Sequence, residues 1–83
     1  MGTIPTDLDL MRRVNRASYA GIGAWGAHNN GSGKLNWFLT REVGGKTEYL
    51  WSANGQLTKF TANGAYRRAD ALNRAAGLVL DDA

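Results

Sequence analysis

Eighty-three residues leave room for a single domain spanning 1–83, in which folding hides about two-thirds of the surface an unfolded chain would expose. With 43% apolar, 10% aromatic and 20% charged residues, the composition is that of a core former and not of a disordered tail. The absence of cysteine excludes a disulfide scaffold, a thiolate metal site and a cysteine nucleophile, and one histidine, His28, gives no imidazole pair for a metal. Apolar runs are too short to span a bilayer and the start does not read as a secretion signal, so a cytoplasmic protein without membrane contact is expected.

Near the N-terminus, Pro5-Thr6-Asp7-Leu8-Asp9 reads as a helix start. Thr6 can accept a first-turn amide, and the aspartates suit the positive end of the helix dipole. The spacing predicts a short helix to about Arg16, with Leu10, Met11, Val14 and Ala17 along one stripe.

From Ser18 to Phe60 the period becomes two. Tyr19 to His28 predicts a strand loosened by Gly21, Gly23 and Gly26, which allow another backbone to approach closely. A polar loop, 28–34, leads to a strand over 35–43. Gly44-Gly45 is a two-residue hairpin turn, 46–53 the returning strand, Asn54-Gly55 a second turn and 56–60 the last strand.

These turns set a register in which Val43 faces Lys46, Arg41 faces Glu48 and Leu39 faces Leu50, so opposite charges and like apolar groups meet. One sheet face then carries Phe38, Thr40, Tyr49, Trp51, Thr58 and Phe60. The other carries Leu35, Trp37, Leu39, Leu50 and Leu57, fringed by Arg41, Glu48 and Lys59. Both faces are apolar, unlike a sheet that shows one side to water.

After Phe60 the period returns to 3.6. Thr61 or Asn63 can cap a helix whose Ala62, Ala65, Ala69, Leu72 and Ala76 share one side, ending at Gly77. Arg67, Asp70 and Arg74 read as its solvent side, with Asp70 and Arg74 at a favourable spacing. A thin alanine face suits large rings, which places this helix over Phe38, Tyr49, Trp51 and Phe60, with Leu78, Val79 and Leu80 folding back onto the core. The expected fold is α+β: a short N-terminal helix, an antiparallel meander of three to four strands and one long C-terminal helix on the sheet.

Chemistry finds few residues to work with. The carboxylates form no evident pair, no serine stands in a nucleophile elbow, and no cofactor or metal is expected. Gly21-Ile22-Gly23-Ala24-Trp25-Gly26 matches a dinucleotide-binding pattern but lacks the strand before it and the helix within it. The expectation is a non-enzymatic protein. The N-terminal helix is expected to cover the Trp37 face with Leu10, Met11 and Val14; if it leaves part of that face open, Trp37 would anchor a protein partner, with Arg41 and Lys59 at the rim and Arg67 and Arg68 steering.

A charge of +3 and a pI near 9.7 keep nucleic acid in view. The helix, strands, helix order with Arg67-Arg68-Ala69 resembles the double-stranded RNA-binding domain, which implies phosphate contacts from Arg67, Arg68 and Arg74. The Gly-Pro-x-His expected of that family's first strand loop is absent. Trp51-Ser52-Ala53-Asn54-Gly55-Gln56-Leu57-Thr58-Lys59-Phe60-Thr61, followed by Ala65, Ala69, Leu72 and Asn73, resembles the strand-helix unit of small phage and prophage proteins, including anti-CRISPR inhibitors. That resemblance implies steric blockade of a host defence complex. A homodimer on the open face is a third expectation.

Overall fold

The computed structural model describes residues 7–31 and 35–78. Its elements are α1 (Leu8–Tyr19), β1 (Gly26–Asn29), β2 (Trp37–Val43), β3 (Lys46–Tyr49) and α2 (Ala62–Ala75). The strands form one antiparallel sheet in the order β1-β2-β3. The fold is α+β, with helix, strands and helix in the expected order.

Helix α1 begins one residue later than the sequence suggests. Asp7 is the cap, its carboxylate accepting the Leu10 amide at 2.9 Å, while Thr6 lies outside the described residues. The helix continues past Arg16 to Tyr19 because Ala17 extends the buried stripe of Leu10 and Val14. The glycine-loosened strand is accordingly shorter than 19–28. Gly21 and Gly23 take positive φ, at 74° and 81°, and only Gly26–Asn29 pairs with β2. Gly26 is where the close approach falls: a Cβ there would lie 2.9 Å from the Ser18 Cβ of α1.

The first hairpin follows the turn chemistry. Gly44 and Gly45 both have positive φ, and Val43 pairs with Lys46 and Arg41 with Glu48. The second departs from it by one residue. Ser52 N–H donates to Gln56 C=O and Trp51 bridges Leu57, where an Asn54-Gly55 turn would set Trp51 opposite Thr58, so the loop is Ala53-Asn54-Gly55 with Gly55 alone at positive φ. A glycine closing a three-residue loop satisfies the same twist that a two-residue turn would. A one-residue slip moves every later side chain to the opposite face. Phe60 therefore pairs with Trp37, away from Tyr49 and Trp51.

Both helices pack on the same side of the sheet. The core joins Leu10 and Val14 of α1, Leu39 of β2 and Ala65, Tyr66 and Ala69 of α2, with Trp25, Ala27, Trp37, Leu50, Phe60 and Leu72 packed around it. The long helix thus covers the Trp37 and Leu39 face, contrary to the expectation that it covers Phe38, Tyr49 and Trp51. The reason is Tyr66, which gives the alanine stripe a bulky group and packs tilted against Trp37 with ring centroids 5.5 Å apart. Leu35, outside β2, is exposed.

Two polar clasps fix the helices. Asp70 does not face solvent as its spacing suggests. It receives Arg13 Nε at 2.9 Å and Nη2 at 3.1 Å from α1, and Arg74 Nε at 2.9 Å from its own helix. Asn73, 1% exposed, accepts the Trp25 amide through Oδ1 at 2.7 Å and donates Nδ2 to the Trp25 carbonyl at 3.0 Å. Its carboxamide acts as a short strand for the loop entering β1, so both the oxygen and the nitrogen of a buried polar group are partnered. Helix α2 starts at its Thr61 cap and ends at Gly77, with Leu78 N–H on Asn73 C=O and Gly77 N–H on Arg74 C=O, a Schellman closure. Val79 and Leu80, expected to fold back onto the core, lie outside the described residues.

Candidate functional site: the uncovered sheet face

Alternation along each strand decides what the helices leave open. Ala27, Trp37, Leu39 and Leu50 point toward α1 and α2, so His28, Phe38, Thr40, Tyr49 and Trp51 point away. The registers His28↔Phe38 and Thr40↔Tyr49 then bring their rings together. His28 and Phe38 centroids are 5.7 Å apart, Phe38 and Tyr49 6.0 Å, and Tyr49 and Trp51 6.1 Å. The result is a continuous row of four rings across the sheet, at separations within the range of attractive aromatic pairs.

The row is wet. Tyr49 is 42% and Trp51 57% exposed, and Phe38 is half-buried. Contiguous exposed rings mark an interaction surface more often than scattered ones do. His28 Nε2 lies 2.7 Å from Thr40 Oγ1, and partial burial among its neighbours holds the imidazole pKa below its ordinary value. Its neutral form therefore dominates at neutral pH, and the row carries no fixed positive charge. Glu42, its side chain bonded to the Thr47 hydroxyl, is the acidic group at the hairpin end of this face.

The residues singled out from the sequence lie elsewhere. Trp37 is half-buried and packs against the core beside Tyr66, with Phe60 as its strand neighbour, so it is not the free anchor the sequence suggests. Its Nε1 is buried without a hydrogen-bond partner. Arg41 lies on the helix-side face, its Nε 2.8 Å from Glu48 Oε1 and its guanidinium 4.8 Å from the centre of the Trp25 ring. Lys59 is exposed beside Phe60, and Arg68 reaches to 5.9 Å from the Phe60 ring. Arg67 is exposed on α2. The structure thus brings Trp37, Phe60 and Arg68 together at one end of the covered face, leaves Arg41 at the other, and leaves Lys59 exposed.

The residues missed were His28, Phe38, Tyr49 and Trp51 as a surface. Two signals in the sequence point to it: Tyr66 among the alanines of α2, and the glycine at the third position of the 53–55 loop, which shifts Phe60 off the ring face.

Among the described residues no three His, Asp or Glu side chains gather as a metal site. No helix there is long and apolar enough to cross a membrane. The chain matches no family model, no curated protein and no solved structure.

Proposed function

We propose that this chain is a non-enzymatic docking protein that covers a partner protein's surface with the ring row of its sheet, acting in the cytoplasm of a bacterial host. The observation that carries this reading is the row itself: four rings, each against the next, on the sheet face opposite the core that the two helices build. Large rings on a stiff sheet bury much area with little loss of side-chain freedom, which is what anchors of a protein interface do. Blockade of a host defence complex, the activity implied by the resemblance to anti-CRISPR inhibitors, is the form we assign to that docking.

Nucleic acid is the competing occupant, because exposed rings can stack on bases. Charge placement favours protein. Six of the seven arginines lie on α1 and α2, on the opposite side of the sheet from the rings. A strand whose bases stack on Tyr49 and Trp51 would hold its phosphates away from those cations. Binding of phosphates by α2 rests on Arg67 and Arg68, since Asp70 already engages Arg74.

The test is phage plating on bacteria whose CRISPR-Cas systems target that phage. The wild-type chain should raise plating efficiency on at least one system, and Tyr49→Ala/Trp51→Ala should return it to the empty-vector level with an unchanged circular dichroism spectrum. Full inhibition by the double variant rejects the ring face, and failure on every system rejects the inhibitor form. Oligonucleotide binding that weakens steeply with salt would assign the chain to nucleic acid instead.

A further inference from the structure

Strand β3 is an edge of the sheet, and its four residues are all exposed. Leu50 N–H donates to Leu39 C=O at 3.1 Å, which fixes the phase of the antiparallel ladder. Glu48 and Lys46 bond inward to β2, and the N–H and C=O groups of Thr47 and Tyr49 point outward. Neither residue's backbone meets a turn, loop or cap partner among the described residues. A shallow cleft lined by Thr47, Glu48, Tyr49 and Trp51 runs beside this edge. Open edges of this kind are templates for another strand.

We infer that the occupant is β3 of a second copy of this chain, paired antiparallel across a two-fold axis. Symmetry and hydrogen-bond phase limit the register to three choices, because only Thr47 and Tyr49 can supply outward bonds. Pairing Thr47 with Tyr49 of the copy sets Glu48 opposite Glu48, a like-charge pair that opposes association. Pairing Tyr49 with itself sets Glu48 opposite Leu50 and gains no charge contact. Pairing Thr47 with itself sets Lys46 opposite Glu48 of the copy, and Glu48 opposite Lys46, so two ion pairs form by one operation. The same register places Thr47 against Thr47, with no like charges opposed, and Tyr49 beside Gly45, whose missing side chain leaves room for the ring. Glu48 can serve the copy because its Oε1 holds Arg41 while a second carboxylate oxygen remains.

The consequence is a six-stranded sheet with two ring rows on one continuous face and four helices on the other. A four-residue edge is small beside the interfaces of stable dimers, so the association is weak and concentration-dependent. This inference stands apart from the docking reading, since it concerns the β3 edge and is read by mass alone.

Sedimentation equilibrium from micromolar to millimolar concentration should show the mass rising from 9.0 kDa toward twice that value. Lys46→Glu and Glu48→Lys should each weaken self-association by about tenfold or more, since each turns two attractive pairs into repulsive ones. Mixed in equal amounts, the two variants should associate as well as the wild type, because each then meets its complement. Thr47→Pro, which removes an outward N–H, should give a monomer with an unchanged circular dichroism spectrum. A wild-type mass that stays at the monomer value in the millimolar range overturns the proposal. So does a dimer indifferent to both charge reversals, or one that the mixture does not restore.

Discussion

The two faces of the sheet carry comparable apolar residues and meet different fates. On one, Leu39 is fully buried, and Trp37 and Leu50 pack against the same core; on the other, Tyr49 and Trp51 stand 42% and 57% exposed. Hydrophobicity therefore does not decide which face is covered. What decides is the fit of the helices: α1 and α2 bring Leu10, Val14, Ala65, Tyr66 and Ala69 onto Leu39, with Ala27, Trp37 and Leu50 packed around it. The ring row lies outside that core, and its rings pack on one another instead. A small domain with two helices has material for one core, and the second apolar face is left for something outside the chain.

The sharpest break of this contrast is Leu39→Ala. Emptying a site that is 0% exposed should cost about 2–5 kcal/mol, measured by urea unfolding, a large share of the stability of an 83-residue domain. Next comes Asp70→Asn, which removes the charge that two arginines share. About 1–3 kcal/mol of stability should be lost, because the part-buried Arg13 loses its charged acceptor.

The same carboxyl gives a pH dependence. The hydrogen bond from Arg13 first, then Arg74, holds the Asp70 pKa below the ordinary carboxylate value against the opposing effect of burial. A depressed folded pKa contributes stability that is complete above the unfolded value, about 4, and is lost as pH falls below it. Thermal unfolding in acid should show that loss in the wild type and less of it in Asp70→Asn.

Trp37→Phe sharpens the contrast from the other direction. It deletes a buried donor that has no partner along with part of a ring, so the two effects oppose one another and the net change should stay within about 1 kcal/mol. On the open face, Trp51→Ala should alter stability by no more than about 0.5 kcal/mol while removing partner binding. The smallest effect belongs to His28. Burial lowers its folded pKa, so the unfolded chain takes up a proton first, and stability should decline slightly as pH falls through about 6.5. Imidazole titration followed by NMR should give a pKa below the unfolded value, and a raised one would refute the placement of the ring.

Much of the fold is legible from local chemistry. The stripe of Leu10, Val14 and Ala17, the paired glycines at 44–45, the Thr61 cap and the Gly77 terminus each depend on neighbours within a turn or a hairpin. Less of the site is legible. The tryptophan named as the anchor packs half-buried against the core, the arginines at 67 and 68 lie behind the sheet from the rings, and the row at 28, 38, 49 and 51 emerges only when strands are assembled. The carboxylate at 70 shows the same limit, since its helical spacing to Arg74 is local while its bond to Arg13 spans the chain.

Periodicity, capping and turn residues act over distances a few residues long, and they suffice to dictate two helices, three strands and the alternation that sorts side chains into two sets. Which set is covered depends on the shapes of elements far apart in the chain. One extra loop residue before Leu57 and one tyrosine among the alanines of α2 tip that balance. Only three-dimensional packing brings Tyr66 against Trp37, and with that contact made, the opposite rings are left facing water.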